Sequence, residues 1–371
     1  MTVKGQTVIQ YMEQLAPKSV AEEGDKIGLQ LGSLYKEITG VLVALDVTDD
    51  VVEEAIAKGC NLIIAHHAII FRPIQQLQTD TPMGRLYEKL IKNDIAVYIS
   101  HTNLDVTEGG MNDWMAEALG IENTASLKDI HTEQLSKLVV FVPKDHHQKV
   151  LDAILNAGAG WIGNYSHCSF NIEGVGTFVP REGSDPFVGK QGQMERAEEI
   201  RIETIVPFSI RSKVVQAMLK AHPYEEVAYD LYSMDLKGRS FGLGRVGRLK
   251  EPVTLEQFIE TVKAGLKVDK VRVVGDLGKS VQKAAVLGGS GGKFLSSAIF
   301  RGADVLVTGD IDYHTAQDAL MAGVALIDPG HNAEKIMKEK VAEWIKDKLS
   351  GSKSDTPVYA SEVNTEPFQF R

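Results

Sequence analysis

Two histidines stand side by side, His66 and His67, at the end of the run Asn61-Leu62-Ile63-Ile64-Ala65. Imidazole is the commonest side chain on transition metals, and one histidine per ion of a close pair is a natural use of adjacent rings. An isolated pair also fits a buried histidine with an exposed neighbour, so other stretches must decide. Ser100-His101-Thr102-Asn103-Leu104-Asp105 adds a carboxylate, and Asp328-Pro329-Gly330-His331-Asn332-Ala333-Glu334 adds an imidazole and a second carboxylate. His-x-x-Glu spacing places the last two on one helical face, although alone it also reads as a helix cap. Together His66, His67, Asp105, His331 and Glu334 offer three imidazoles and two carboxylates. That set suits two divalent ions per subunit, zinc, iron or manganese, if one carboxylate bridges and water completes the shells.

The surrounding pattern predicts what positions these groups. Leu62 to Ala65 reads as a strand buried on both faces, which sets the histidines at its carboxyl end, where open α/β sheets bind ligands. Val41 to Leu45 is a preceding strand, Thr48 caps a helix through Ala57, and Gly59 ends it. A helix over Met83–Lys92 and a strand over Ile95–Ile99 then deliver Asp105. Past Gly238 the alternation resumes, with strands at Val271–Val274, Ala284–Leu287, Asp304–Thr308 and Val324–Ile327 and a long helix from Ala333 to Lys348. Gly302 to Asp310 lines up with Gly59 to His67, so two similar α/β lobes are expected, with a cleft between them. Val358 to Ser361 is read as closing a sheet.

The middle of the chain has another texture. Val142-Pro143 with Lys149-Val150, Ala153 and Leu155 is written again, at the same spacing, as Val206-Pro207 with Lys213-Val214, Ala217 and Leu219. With strands read at Cys168–Val179, Glu198–Val206 and Tyr224–Tyr232, the order is strand, helix, strand, strand, helix, strand. This is the ferredoxin-like arrangement. The expected domains are therefore residues 1–125, an insertion over 126–235, and 236–371.

Composition narrows the classes. The chain has 371 residues, too many for one ordinary core, and 43% hydrophobic with 24% charged residues is typical of a globular protein. A formal charge of −10 argues against wrapping nucleic acid. Cys60 and Cys168 form no thiolate motif, and no signal peptide or membrane-spanning run is read, so a cytoplasmic protein is expected.

The IIAHH stretch, the SHTNLD loop, the TGDxxYH segment and the DPGHNxE segment resemble the NIF-three-like dinuclear metal-centre family, type-two homologues of GTP cyclohydrolase I. The resemblance covers both outer lobes, and the middle unit, with GAGxIGNY at Gly158–Tyr165 and HPYEE at His222–Glu226, is similar to the PII-like or CutA-like insertion of longer bacterial members. It implies a two-metal centre in a toroidal homohexamer, with ligands matching His66, His67, Asp105, His331 and Glu334. Many shorter members place the glutamate four residues after the last histidine, where this chain has three. Asp310, Asp312 and His314 match a segment near the metals. His314 is read as a proton shuttle or as a hydrogen-bond partner of a ligand carboxylate.

Two other segments have open readings. Leu287-Gly288-Gly289-Ser290-Gly291-Gly292 precedes a helix and fits either an anion cradle or tight packing, and it lacks the Walker ending. Phe178-Val179-Pro180 and His222 to Glu226 read as packing and oligomer contacts, with a small-molecule site open. The functional expectation is a metal-dependent hydrolase acting on a nucleotide-like or phosphorylated small molecule. The alternative is a non-catalytic metal-binding or ligand-sensing regulatory hexamer.

Overall fold

A computed structural model describes residues 2–352 and 354–369. The chain forms two compact units, one from Met1–His131 with Phe241–Arg371 and the other from Thr132–Ser240.

The first unit carries two sheets of like design. In one, the parallel strands Val41–Ala44, Leu62–Ala65 and Ala96–Ile99 lie in that order, with Gly28–Leu31 antiparallel beside the third. In the other, the parallel strands Ser280–Ser290, Val305–Gly309 and Ala325–Asp328 lie in that order, with Arg272–Val274 antiparallel beside the third. The glycines before the two middle strands, Gly59 and Gly302, share φ 67. Both end a helix in the left-handed conformation that lacks a Cβ penalty only for glycine.

The histidine strand is buried throughout, and its alternation divides two cores. Leu62 and Ile64 join a cluster with Val305, Val307, Phe258 and Ile345, whereas Ile63 and Ala65 face Val51, Ala55, Leu86 and Leu90. The latter come from helices Asp49–Ala57 and Pro82–Lys92, capped by Thr48 accepting from Val51 N at 3.4 Å and Thr81 accepting from Gly84 N at 3.1 Å. Each cap satisfies an otherwise orphaned amide and contributes about 1 kcal/mol.

Two features tie the lobes into one unit. Strand Val358–Ala360, at the far end of the sequence, pairs in parallel with Val41–Ala44 and so completes the sheet of the first lobe rather than its own. Buried Arg245 reaches Asp113 through Nε–Oδ1 at 2.6 Å and Nη2–Oδ2 at 2.7 Å. It also donates to the carbonyls of Thr107, Gly242 and Gly244.

The second unit is ferredoxin-like. Parts of strands Ile121–Pro143 and Tyr229–Thr254 pair centrally and at one edge, with Glu195–Pro207 and then Ser169–Phe178 on the other side. Helices His147–Asn156 and Arg211–Ala221 cover one face, packing Val150, Ile154, Val214 and Met218 onto Val140, Val142, Ile202 and Val206. Residues 224–228 do not belong to the last strand, which begins at Tyr229 rather than at Tyr224 as the alternation suggests, because the chain turns there to hold His222 and Tyr224.

Candidate metal centre

The centre belongs to the first unit. His66 and His67 leave the end of their strand, and His101 leaves the end of the next, bringing its ring centroid within 4.9 Å of that of His66. Asp105 lies on the short helix Thr102–Val106, held by Asn112 donating to its carbonyl at 2.9 Å. From the second lobe, strand Ala325–Asp328 runs into a 3-10 turn over His331–Lys335, and only then into the α-helix Ile336–Gly351. Three residues per turn eclipse positions i and i+3, so the spacing of His331 and Glu334 matches a 3-10 turn rather than an α-turn. Their Nε2 and Oε2 atoms are 3.3 Å apart.

Glu334 is the hub. Its Oε2 also lies 3.1 Å from His67 Nε2, and its Oε1 lies 3.7 Å from His66 Nε2. Three overlapping groups, His66 with His67 and His101, His67 with His331 and Glu334, and His66 with Asp105 and Glu334, each bring their donor atoms within 4.8 Å of one another. All five residues expected from the sequence as ligands thus converge, and His101 joins them.

Every imidazole is aimed by a partner on its far nitrogen. His66 Nδ1 donates to the Ser100 carbonyl at 2.9 Å, His67 Nδ1 to Asp46 at 2.7 Å, His101 Nδ1 to Asp25 at 2.9 Å and His331 Nδ1 to Asp310 at 2.6 Å. Fixing the proton on Nδ1 leaves Nε2 as the donor atom toward the shared space, the arrangement that metal-ligating histidines use. The sequence reading does not assign Asp25, Asp46 or His101 to the site: the two aspartates stand alone in turns that sequence does not tie to a distant histidine, and His101 stands in the SHTNLD segment, where only Asp105 is read as a ligand.

The electrostatics favour cations. Five carboxylates, Asp25, Asp46, Asp105, Asp310 and Glu334, face four imidazoles. Burial disfavours charge on His67, but hydrogen bonds to Asp46 and Glu334 prevail and push its pKa up to about 10. The hydrogen bond to Glu334 pushes His331 up to about 9 against the effect of burial. Asp105 is pushed up to about 6 by burial, with Glu334 adding repulsion and the imidazoles opposing. Glu334 is held well below its ordinary range, because the imidazoles around it outweigh the cost of burial.

Two buried atoms have no hydrogen-bond partner among the described residues, His66 Nε2 and Asp105 Oδ1, and they face each other at 3.6 Å. That gap is too long for a hydrogen bond and suits two donors on one ion.

The glycine-rich turn closes the site. A Cβ on Gly289, which has φ 64, would sit 2.7 Å from Glu334 Oε1 and 3.2 Å from His331 Nε2. One on Gly288 would sit 3.1 Å from the same oxygen. Close approach to the carboxylate accounts for these glycines, and the helix that follows, Leu295–Phe300, is short. His314 is exposed at the start of helix Tyr313–Ala322 with its ring edge-on to Tyr313, and it belongs to none of the three donor groups.

A family model described as Duf34/NIF3 (NGG1p interacting factor 3) matches residues 3–367. The chain belongs to this family. Its relatives include the GTP cyclohydrolase 1 type 2 homolog of Halalkalibacterium halodurans, 54% identical over 366 residues and covering 99% of this chain and 98% of that one. The Bacillus subtilis protein of the same name is 51% identical, covering 100% and 99%. The crystal structure of a Bacillus cereus protein related to NIF3 superposes with a TM-score of 0.95 at 52% identity, over 100% of this chain and 99% of the other. A Staphylococcus aureus structure follows the same path with a TM-score of 0.79 at 33% identity, over 100% and 99%. The fold and family match the resemblance noted in the sequence, and among the described residues no helix is long and apolar enough to cross a membrane.

Proposed function

We propose that this member of the NIF3 family is a metal-dependent hydrolase with a dinuclear centre held by His66, His67, Asp105, His331 and Glu334, with His101 as a further imidazole. The facing of His66 Nε2 and Asp105 Oδ1, buried and unpartnered, carries the reading. A protein leaves such atoms unsatisfied only at a cost of about 1 to 3 kcal/mol each, which an ion between them would offset. Glu334 would hold metal together with more than one imidazole, because its two oxygens address different rings.

Two divalent ions held by these residues would supply Lewis acidity, which activates water and polarises a bond to be cleaved. The chain's own residues do the rest. Asp46, Asp25 and Asp310 hold three rings in one tautomer, so no reorientation is needed when substrate arrives. The glycine turn keeps bulk away from the carboxylate while leaving the second lobe close to it. His331 and Asp310 are partly exposed, so the site opens to solvent on their side and substrate enters there. The related proteins named as GTP cyclohydrolase homologues favour a nucleotide-like or phosphorylated substrate. A homohexamer in the cytoplasm completes the proposal.

The test combines metal analysis of protein purified without chelator or affinity metal with a hydrolysis screen over nucleotides and phosphorylated metabolites. About two ions per chain and turnover abolished by Asp105→Ala are expected. Turnover that survives complete metal removal would sink the hydrolase assignment.

A further inference from the structure

The ferredoxin-like unit holds a cavity of about 510 Å³ that the metal centre does not use. It lies on the sheet face opposite the two helices, since Phe141 stands between Val140 and Val142, which both face those helices. The rings of Phe178, Phe187 and Tyr224 wall it, with Tyr224 centroids 6.3 Å from Phe178 and 5.9 Å from Phe187.

One acid is built into this apolar wall. Glu199 is 8% exposed, its Oε1 accepts from Tyr224 Oη at 3.0 Å, and among the described residues no lysine or arginine forms an ion pair with it. Room for it is made on the neighbouring strand, where a Cβ on Gly176 would fall 2.1 Å from Glu199 Oε2. Tyr224 is itself held, because its backbone N–H donates to His222 Nδ1 while His222 Nε2 donates to the Phe141 carbonyl. Glu225 accepts from Asp185 N at 2.9 Å, pinning the loop that brings Phe187 over the opening. Glu225 and Glu226 outnumber Arg181 at the rim.

We infer that this cavity binds a flat organic cation of one or two rings, an aromatic ammonium or N-alkylated heterocycle, with its charge on Glu199 and its rings among Phe178, Phe187 and Tyr224. Two general effects point to this class. Aromatic faces attract cations, more so when water is excluded. A buried carboxylate without a cation gains most from a ligand that brings one, whereas an anion of the same shape would meet repulsion from Glu199 and the rim. The volume is that of a small-molecule site rather than a packing gap. It is independent of the hydrolase reading.

The full chain is titrated calorimetrically with 1-methylquinolinium and with 2-naphthoate, an anion of similar outline. Saturable binding of the cation is expected at one site per chain, at least tenfold tighter than the naphthoate. Glu199→Gln keeps the size and the Tyr224 contact, and Phe187→Ala changes a half-exposed loop residue; each should weaken the cation at least tenfold with metal content unchanged. No saturable binding, equal affinity for the two probes, or undiminished affinity in both variants would overturn the assignment.

Discussion

His67 and Asp46 are joined at 2.7 Å on the side of the ring away from Glu334, so the imidazole is clamped between two carboxylates 21 positions upstream and 267 downstream of it. Asp46 is in turn bonded by Thr365 from the end of the chain. The first lobe, the second lobe and the terminal segment therefore meet at one ring.

This clamp separates ligands from the residues that aim them. Asp105→Ala removes a donor atom and should abolish binding of one ion. Asp46→Ala leaves every donor in place and frees the ring, so metal affinity should fall by about 10- to 100-fold, the usual cost of losing such a partner. Competition with a chelator of known affinity measures both. Equal loss in the two variants would contradict the division.

Metal uptake should rise with pH. Bound ions must displace protons from His67, pushed up to about 10, and His331, pushed up to about 9. Each proton displaced makes affinity climb about tenfold per pH unit below those values. Metal-free protein should show the reverse. Groups whose folded pKa lies above the ordinary 6.5 stabilise fully below that pH and lose the contribution as pH rises through 9 to 10. Glu334, held low, acts oppositely and withdraws its contribution only as pH falls through its depressed value. Melting curves with and without metal from pH 6 to 10 should therefore diverge with rising pH.

The glycine turn makes a steric prediction. Gly289→Ala puts a methyl group against Glu334 and forces an unfavourable positive φ, at a cost of about 1 to 2 kcal/mol before any clash. Glu334 must move, so metal content should drop while the far-UV spectrum stays unchanged. Gly302→Ala, equally strained but with open space around it, is the control. It should lower the melting temperature and keep the metal.

Much of this architecture is legible in the residues themselves. Runs such as Leu62–Ala65 and Val305–Gly309 are apolar because both faces are buried, and the repeated Val-Pro segments mark the two halves of the ferredoxin-like unit. What escapes is whatever depends on partners far away. Nothing local says that Val358–Ala360 pairs with Val41–Ala44, since three apolar residues suit any sheet edge. The unit boundaries lie inside the long strands Ile121–Pro143 and Tyr229–Thr254, where the chain keeps its extended pattern and offers no linker signal. Asp25 and Asp46 are turn residues by composition, and only the folded chain brings them against His101 and His67.

The joint between the lobes can be tested apart from the metals. Arg245 is buried with a bidentate bond to Asp113, and Asp113→Ala leaves that guanidinium charge without its counter-ion. Breaking a buried pair from one side costs about 3 to 5 kcal/mol. The lower end is expected, because the carbonyls of Thr107, Gly242 and Gly244 still accept from the guanidinium. Replacing both partners, with Arg245→Met and Asp113→Leu, removes the stranded charge and should recover a large part of the loss. Denaturant titration of the two proteins measures the difference. A double variant no more stable than Asp113→Ala would mean that the guanidinium's bonds to those carbonyls, rather than its pairing with Asp113, hold the halves together.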